Sequence, residues 1–487
     1  MSEKRPEEIT LDPENWDEMR ALGHRMIDDI MTYLQTLREK PVFQPLSENV
    51  LDHFRQPPPV EPEEPEKVYQ DFLEFILGTN NTMVLHPRFW AFVAGNGTPM
   101  GMLGEMLAAG LNQPTELNTQ ITYHVEMQVL SWLKEMLGYP KDSSGLLVTG
   151  ASAANLIGLA VARNSKASED VRKKGLQNMP RKMALYGSEE MHSCLQKNVE
   201  LLGLGDESLR RIKMNKDFQV DVEALKKEIR KDRDEGFQPF CIIGNAGTVN
   251  TGAFDDLNAL ADVCAKENLW FHVDGAFGAF AALSPRLRHL VSGMDRADSL
   301  AFDLHKWMSV PYGIGCIFIR RLEDHLRSFS ISPVYLQVLK EYGLSFSDLG
   351  FELSRSTLSL KAWMQIKSHG VDKYRRLVEQ NVDQAHYVAD LIKAAPELEL
   401  VIPVSLNVVC FRYVADGLSE DALAELNTKI ARQLFFNGVA IAAGTVVNGK
   451  TAIRLCIVNH RSKREDFDLY INEFIRIGNE LSKSYRP

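Results

Sequence analysis

Two side chains that could do chemistry each stand at the end of a strongly apolar stretch of the sequence. Lys306 follows the apolar residues 300–302, within the motif Asp-Leu-His-Lys-Trp. Because a buried ammonium is costly, such a lysine either extends to the surface or is a desolvated amine that can attack a carbonyl carbon. Asp274 ends the stretch 270–273, in which His272 is the polar exception. It either caps a turn or provides a fixed anion that faces a cationic ring nitrogen.

Two further positions complete a possible site. The Gly-Ala-Ser segment at 150–152 lies between a short apolar strand at 146–148 and a helix predicted from Ala153 to about Arg163. Free amides and the Ser152 hydroxyl at this helix start could hold a phosphate, although a plain helix cap would have the same sequence. His192 alone carries little weight. Together, a lysine, an aspartate, a phosphate cup and a histidine are what pyridoxal phosphate needs in order to be bound, protonated on its ring and anchored.

The residues between 86 and 375 alternate short apolar strands with helices. Strands are predicted at 240–243 and 269–273, with a helix at 255–266. This alternation indicates a mostly parallel sheet that is covered on both faces. Ligands of such sheets bind at the carboxyl ends of the strands, which is where Lys306 and Asp274 stand.

The flanking segments differ from this central region. A helix capped by Asn15 or Asp17 is predicted to end before Pro41, and a proline-rich stretch follows it. We therefore predict a helical arm at 1–85, which is too small to fold alone and packs on something else, such as a second subunit. A large cofactor-binding domain at 86–375 and a smaller α+β domain at 376–487 complete the prediction.

One motif points to a different chemistry. Residues 444–451, Gly-Thr-Val-Val-Asn-Gly-Lys-Thr, match the phosphate-binding pattern GxxxxGK[ST]. That pattern works only between a strand and a helix, whereas residues 451–458 have the composition of a strand. Asn448 and Gly449 are then typical of a hairpin turn, and we do not expect a nucleotide site.

Composition and charge exclude several classes of protein. The 487 residues include 55 Lys and Arg and 65 Asp and Glu, a net charge of -10. This acidity argues against nucleic-acid and membrane-surface binding. No apolar run is long enough to span a bilayer, and the charged first residues lack the apolar core of a signal peptide. The six cysteines stand singly, so neither a metal site nor a disulfide framework is expected, and a reducing cytoplasm is the simplest compartment.

Three motifs in combination identify a family. His-Lys-Trp at 305–307, His-Val-Asp-x-Ala at 272–276 and Gly-x-Ser at 150–152 resemble group II pyridoxal-phosphate amino-acid decarboxylases, which act on aromatic amino acids, glutamate or histidine. The similarity extends over nearly the whole chain. It implies an α/β fold of the aspartate-aminotransferase type (fold type I), with a central, mostly parallel sheet of the seven-stranded type, a smaller C-terminal α+β domain and an N-terminal helical arm. It also implies a homodimer with sites at the interface.

The resemblance implies roles for individual residues. Lys306 would form the Schiff base, and Asp274 would pair with the pyridine nitrogen. His192 would stack on one face of the ring and help to place the substrate carboxylate, while Ala276 packs on the other face. The expected cofactor-binding residues are Gly150, Ala151, Ser152, His192, Thr248, Asp274, Ala276, His305 and Lys306.

The sequence also departs from the family pattern. Ala153 stands where relatives often have glutamate after the phosphate-cup serine, and Val249 replaces the second threonine of a cofactor-contacting turn. In many relatives a tyrosine of a mobile loop protonates the substrate carbon. Tyr342 is the candidate here, but it does not align clearly and the loop looks short. The alternatives are protonation by His192, or interception of the carbanion by oxygen.

The substrate is weakly encoded. Residues 86–93 resemble the segment that lines the side-chain pocket of the family, so Trp90 and Phe92 predict an aromatic pocket or are ordinary core residues. Arg88 favours an acidic substrate if it faces the site. We expect an enzyme that converts an aromatic L-amino acid to its amine and carbon dioxide. The alternatives are an aldehyde-producing oxidative decarboxylase, a decarboxylase of an acidic amino acid, and a non-catalytic homologue.

Overall fold

The computed structural model describes residues 9–79, 82–115, 118–331 and 343–485. Within them, seven strands form the larger sheet, in the order β1-β7-β6-β5-β4-β2-β3. The strands are β1 Ser144–Val148, β2 Met183–Ser188, β3 Leu209–Ile212, β4 Gln238–Asn245, β5 Trp270–Asp274, β6 Ser299–Asp303 and β7 Gly315–Ile319. The neighbouring pairs from β3 to β6 are parallel, whereas β7 runs antiparallel to both β1 and β6. The predicted mostly parallel sheet is confirmed.

Helices cover this sheet and also form parts of the N-terminal arm and the C-terminal region. The helices are α1 Trp16–Gln35, α2 Glu48–His53, α3 Pro65–Asp71, α4 Pro99–Leu111, α5 Ile121–Leu137, α6 Ala151–Lys166, α7 Val171–Lys174, α8 Cys194–Leu201, α9 Val222–Asp234, α10 Leu257–Glu267, α11 Leu322–Phe329, α12 Ser359–His369, α13 Val371–Ala394, α14 Glu420–Phe436 and α15 Arg464–Ser482. Every residue of β1, β5, β6 and β7 is buried. Such complete burial is expected of strands that are covered on both faces, whose sequences are almost continuously apolar.

The helix α6 follows β1 directly and packs against the strands that end at the site. It begins at Ala151, two residues before the predicted start, with Gly150 at its N-cap. Small residues on its inner face allow the close approach. A Cβ atom on Gly158 would lie 2.8 Å from Cε1 of His272, so a larger residue there would displace the histidine ring or the helix.

A second, antiparallel sheet forms the core of the C-terminal region. Its strands, in the order β10-β11-β9-β8, are β8 Leu398–Leu400, β9 Val408–Tyr413, β10 Ala443–Val447 and β11 Lys450–Cys456. The loop between β10 and β11 is a two-residue hairpin in which Val447 pairs with Lys450. Asn448 and Gly449 have φ values of 51° and 75°, as the mirror-image hairpin turns require. The hairpin prediction for the 444–451 motif is confirmed.

The N-terminal arm is helical, and its first helix, α1, buries few of its apolar side chains. The side chain of Asn15 accepts hydrogen bonds from the amides of Asp17 and Glu18, which makes Asn15 the N-cap of α1. Leu22 and Tyr33 are the buried residues of α1, while Trp16 is exposed.

The division of the chain into three segments stays a prediction, and two observations bear on its boundaries. Helix α13 crosses the boundary predicted at residue 375. The backbone of Trp90 bonds to that of Ile441 and Cys456, so residues close to the first boundary pack on the small sheet. Among the described residues, no helix is both long and apolar enough to cross a bilayer.

Candidate active site

The carboxyl ends of β5 and β6 and the start of α6 enclose a cavity of about 460 Å³. Most of the predicted site residues line it, although they are far apart in the sequence. These residues are Phe92, Gly150, Ala151, Ser152, His192, Thr248, Asp274, Ala276, His305 and Lys306. The topology therefore brings together the amine, the carboxylate and the helix start that the motifs singled out.

Lys306 faces a carboxylate that carries no role in the sequence prediction. Its Nζ lies 3.3 Å from Oδ2 of Asp303, the last residue of β6. Oδ1 of Asp303 accepts a hydrogen bond of 2.6 Å from the amide of Ala151. Asp303 thus connects the lysine to the first residue of α6. Because this amide already donates to Asp303, Ala151 does not offer it to a phosphate in this structure. The amide and hydroxyl of Ser152 are the remaining candidates at the start of the helix.

His305 is held beside the start of α6. Its Nε2 lies 3.6 Å from Oδ2 of Asp303, and its Nδ1 accepts a hydrogen bond of 3.2 Å from the amide of Ile314. Burial lowers the pKa of His305, and Asp303 partly opposes this effect. A Cβ on Gly150 would lie 3.2 Å from the His305 ring, so the glycine lets the loop and the histidine lie against each other.

His192 lines the cavity with a defined tautomer. Its Nδ1 accepts a hydrogen bond of 3.2 Å from the amide of Cys194. In the neutral ring the proton therefore lies on Nε2. Burial lowers the pKa of His192, whereas the carboxylate of Asp274 raises it. The neutral ring is the favoured form, with one N–H to donate.

Asp274 is a buried carboxylate that already accepts two hydrogen bonds. Oδ1 accepts from the amide of Ala276 at 3.1 Å, and Oδ2 accepts from Nδ2 of Asn155 at 3.2 Å. A carboxylate has about four acceptor sites, so capacity remains for a donor in the cavity. Nearby, the hydroxyls of Thr248 and Thr251 lie 2.7 Å apart and stabilise the turn that contributes Thr248 to the cavity wall.

Trp90 is not part of the site, which corrects its prediction as a substrate-binding residue. Its side chain is completely buried, donates to Ser462 Oγ at 3.0 Å and stacks on Phe467 of α15. Phe92, two residues on, is 57% exposed and lines the cavity. The segment bends at 91–93, so the side chains at 90 and 92 do not share a face as they would in a strand.

The remaining predictions have different outcomes. Tyr342 lies outside the described residues. Arg88 does not line the cavity, and its Nε donates to the carbonyl of Val439.

Sequence reasoning missed three residues of this site. Asp303 ends an apolar strand as Asp274 does, and that signal could have identified it. Asn155 stands four residues after Ala151, one helical turn into α6, and the spacing could have placed it beneath the cup. Glu190 lines the cavity and accepts a hydrogen bond of 3.0 Å from Asn250, for which the sequence carries no evident signal.

The residues present fit pyridoxal phosphate. Lys306 would hold its aldehyde carbon, Asp274 has acceptor capacity for the pyridine nitrogen, and Ser152 and His305 stand where a helix start favours an anion. The glycines at 150 and 315 approach so closely that a Cβ on Gly315 would lie 2.7 Å from the carbonyl carbon of Gly150.

Comparisons with known proteins agree with this geometry. The family model described as the pyridoxal-dependent decarboxylase conserved domain matches residues 48–414. An aromatic-L-amino-acid decarboxylase from Bacillus atrophaeus is 34% identical, with 96% of this chain and 97% of the relative covered. A phenylacetaldehyde synthase from Petunia hybrida is 28% identical, with 92% and 91% covered. The solved structure of Oryza sativa TDC with PLP and tryptamine superposes with a TM-score of 0.90 at 25% identity and covers 97% of this chain and 100% of that one.

The fold and the site define a pyridoxal-phosphate-dependent enzyme of fold type I. Within that class, the chain belongs to the pyridoxal-dependent decarboxylase family. The predictions of the family, of the α/β fold, of a decarboxylase and of pyridoxal phosphate as its cofactor are confirmed.

Proposed function

We propose that the protein decarboxylates an aromatic L-amino acid and releases the amine. The observation that carries the proposal is the charge around the cavity. Within the described part of the chain, Lys306 is the one lysine or arginine that lines it, whereas Glu190, Asp274 and Asp303 supply carboxylates. Among the described residues of the cavity wall, an acidic side chain would meet no lysine or arginine other than the lysine that would hold the cofactor. Phe92 instead offers an apolar surface to an aromatic ring.

The chain's residues have distinct tasks in this reaction. Bound pyridoxal phosphate supplies an electron sink for the electrons that the departing carboxylate leaves behind. Lys306 would hold the cofactor's aldehyde carbon through its amine. Asp274 would hold the ring nitrogen. The Nε2–H of His192 would bind the substrate carboxylate, since the other ring nitrogen already accepts a hydrogen bond from the amide of Cys194.

The fate of the substrate carbon separates two products. A proton delivered to the α carbon gives the amine, and we assign this delivery to Tyr342 or His192. Molecular oxygen reacting there would give an aldehyde with ammonia and hydrogen peroxide. A relative named aromatic-L-amino-acid decarboxylase and one named phenylacetaldehyde synthase both match the chain over most of its length.

A product analysis tests the proposal. The purified, cofactor-loaded protein is incubated in air with L-tyrosine, L-dopa, L-tryptophan, L-phenylalanine and L-glutamate, and products are identified by mass spectrometry. We expect an amine from an aromatic substrate and none from glutamate. An aldehyde with ammonia and peroxide, in place of the amine, would show that the reaction is oxidative and contradict amine release. Product from glutamate alone would contradict the aromatic assignment.

We also propose that the protein is a cytoplasmic homodimer. Apolar side chains are exposed on the arm and on α4, which supports a partner surface of the same chain. They include Leu11, Trp16, Met26, Met106, Leu107 and Leu111. The six cysteines are free and buried, as suits a reducing compartment. Light scattering of the purified protein should give twice the mass of the chain.

A further inference from the structure

A continuous row of hydrogen bonds begins at Asp274, passes through Asn155 at the cavity wall and continues into the buried interior. Asn155 Nδ2 bonds to Asp274 Oδ2 at 3.2 Å, and Asn155 Oδ1 bonds to Nε2 of His272 at 2.7 Å. Nδ1 of His272 bonds to Ser299 Oγ at 2.7 Å, and that hydroxyl accepts from Nε1 of Trp270 at 2.8 Å. All four residues behind the carboxylate are buried.

We infer that Asn155 and His272 are positioning residues that orient Asp274 toward the pyridine nitrogen of the cofactor. The inference rests on pyridoxal phosphate as the cofactor and deepens the proposed function, which assigns these two residues no role. Neither of them needs to touch the substrate, because each acts through the carboxylate.

The chemistry of the groups gives the row one direction. A carboxylate only accepts, so the amide nitrogen of Asn155 must face Asp274 and its oxygen must face His272. Nε2 of His272 must then carry the proton of the neutral ring, and Nδ1 accepts a hydrogen bond from the hydroxyl of Ser299. Burial lowers the pKa of His272 to about 4, so the ring is neutral as this arrangement requires. Every donor from Trp270 onward therefore points toward Asp274.

The fold makes room for this row at a cost in packing. Gly158 stands one turn after Asn155 on α6, where a Cβ would lie 2.8 Å from the His272 ring. β5 pairs with β6 so that His272 and Ser299 are direct neighbours in the sheet. An apolar residue at 272 would suit a strand buried on both faces better than a histidine. The row ends on the one carboxylate that the cofactor's ring nitrogen needs.

A second buried histidine shows what a purely structural role looks like. His325 on α11 is as deeply buried, and its Nδ1 lies 2.7 Å from Ser144 Oγ. His325 does not line the cavity. His325→Phe is therefore the matched control for removing a buried, serine-bonded imidazole.

The test uses two probes, pyridoxal phosphate and its 1-deaza analogue, in which a C–H group replaces the ring nitrogen. Both keep the aldehyde and the phosphate. The affinity of the apoprotein for each probe is measured by equilibrium dialysis without amino acid, for the wild type and for His272→Phe, His272→Gln and His325→Phe. Absorbance spectra of the bound probes are recorded in parallel.

We expect His272→Phe to weaken pyridoxal-phosphate binding about tenfold, the size typical of losing the support behind a ligand, and to leave the affinity for the deaza analogue unchanged. His272→Gln offers both a donor and an acceptor and should restore most of the affinity. His325→Phe should change neither affinity. Equal losses for the two probes in His272→Phe, or no loss for either, would overturn the inference.

Ser299→Ala keeps the test decisive if His272→Phe does not fold. It removes the donor to Nδ1 of His272 and should lower the affinity for pyridoxal phosphate by about threefold, again without affecting the deaza analogue. Because no amino acid is present, these outcomes do not depend on whether the aromatic-substrate proposal holds.

Discussion

Two glycine-containing loops of this protein resemble phosphate-binding motifs, and the better match of the two is not the one that lies at the cavity. Residues 444–451 match a nucleotide-binding pattern at every defined position, yet they form a hairpin between β10 and β11. Residues 150–152 match a far shorter pattern, yet they join β1 to the helix α6 at the edge of the cavity. The element that follows each loop decides the difference. A helix start presents several unpaired amides to an anion, whereas the amides of a hairpin are already paired across its strands.

The largest contrast concerns the two lysines. Lys306→Ala should abolish steady-state turnover, because the amine that holds the cofactor is lost. Lys450→Ala should leave turnover unchanged, since Lys450 forms an ion pair with Glu399 on the small sheet. Amine or aldehyde formation is followed by mass spectrometry. Turnover above background in Lys306→Ala would remove this lysine from its assigned role.

The hydroxyls that end the two motifs should differ next. Ser152→Ala should lower the affinity for pyridoxal phosphate by about tenfold, because a hydrogen bond to a charged phosphate is lost. Thr451→Ala, in β11, should not change it. The affinity is read from the quenching of protein fluorescence as the cofactor is added. If both variants bind as tightly as the wild type, the helix start at 151 does not hold the phosphate through this side chain.

The hairpin itself should matter for stability alone. Gly449 has a φ of 75°, so Gly449→Val forces a β-branched residue into the left-handed region. We expect a loss of about 1–3 kcal/mol in the free energy of unfolding, measured with urea, and no change in cofactor affinity. Asn448→Gly serves as the control, because glycine tolerates a positive φ as asparagine does. A loss of cofactor binding in a folded Gly449→Val variant would contradict this prediction, because it would show that the hairpin affects the cofactor site.

The last contrast is a pH dependence in the loop that follows the small sheet. Burial lowers the pKa of His460 from 6.5 to about 4, and its Nε2 bonds to the carbonyl of Gly97. Between these values the unfolded chain binds a proton that the folded chain does not, so the free energy of unfolding falls as the pH is lowered from about 6.5 to about 4. His460→Gln should make that fall shallower. Parallel curves for the wild type and the variant in urea titrations at several pH values would contradict this assignment.

Much of this protein was determined by local sequence patterns. Apolar stretches with a chemical residue at their end located β5 and β6, and turn chemistry at Asn448 and Gly449 identified the hairpin. The lysine, aspartate and serine motifs indicated the cofactor and the family. These features depend on neighbours within a few residues, which is the range over which strand periodicity, helix starts and turns are set.

Tertiary structure alone decided which side chains meet. Asp303 engages the amide of Ala151 because the strand order places β6 near the start of α6, across 152 positions of sequence. Asn155 reaches both Asp274 and His272 for the same reason. Trp90 does not line the predicted pocket, because the bend at 91–93 breaks the strand-like alternation of side chains that would place residues 90 and 92 on one face. Spacing along the chain specifies where elements begin and end, whereas strand order and helix packing determine the partners of a buried polar group.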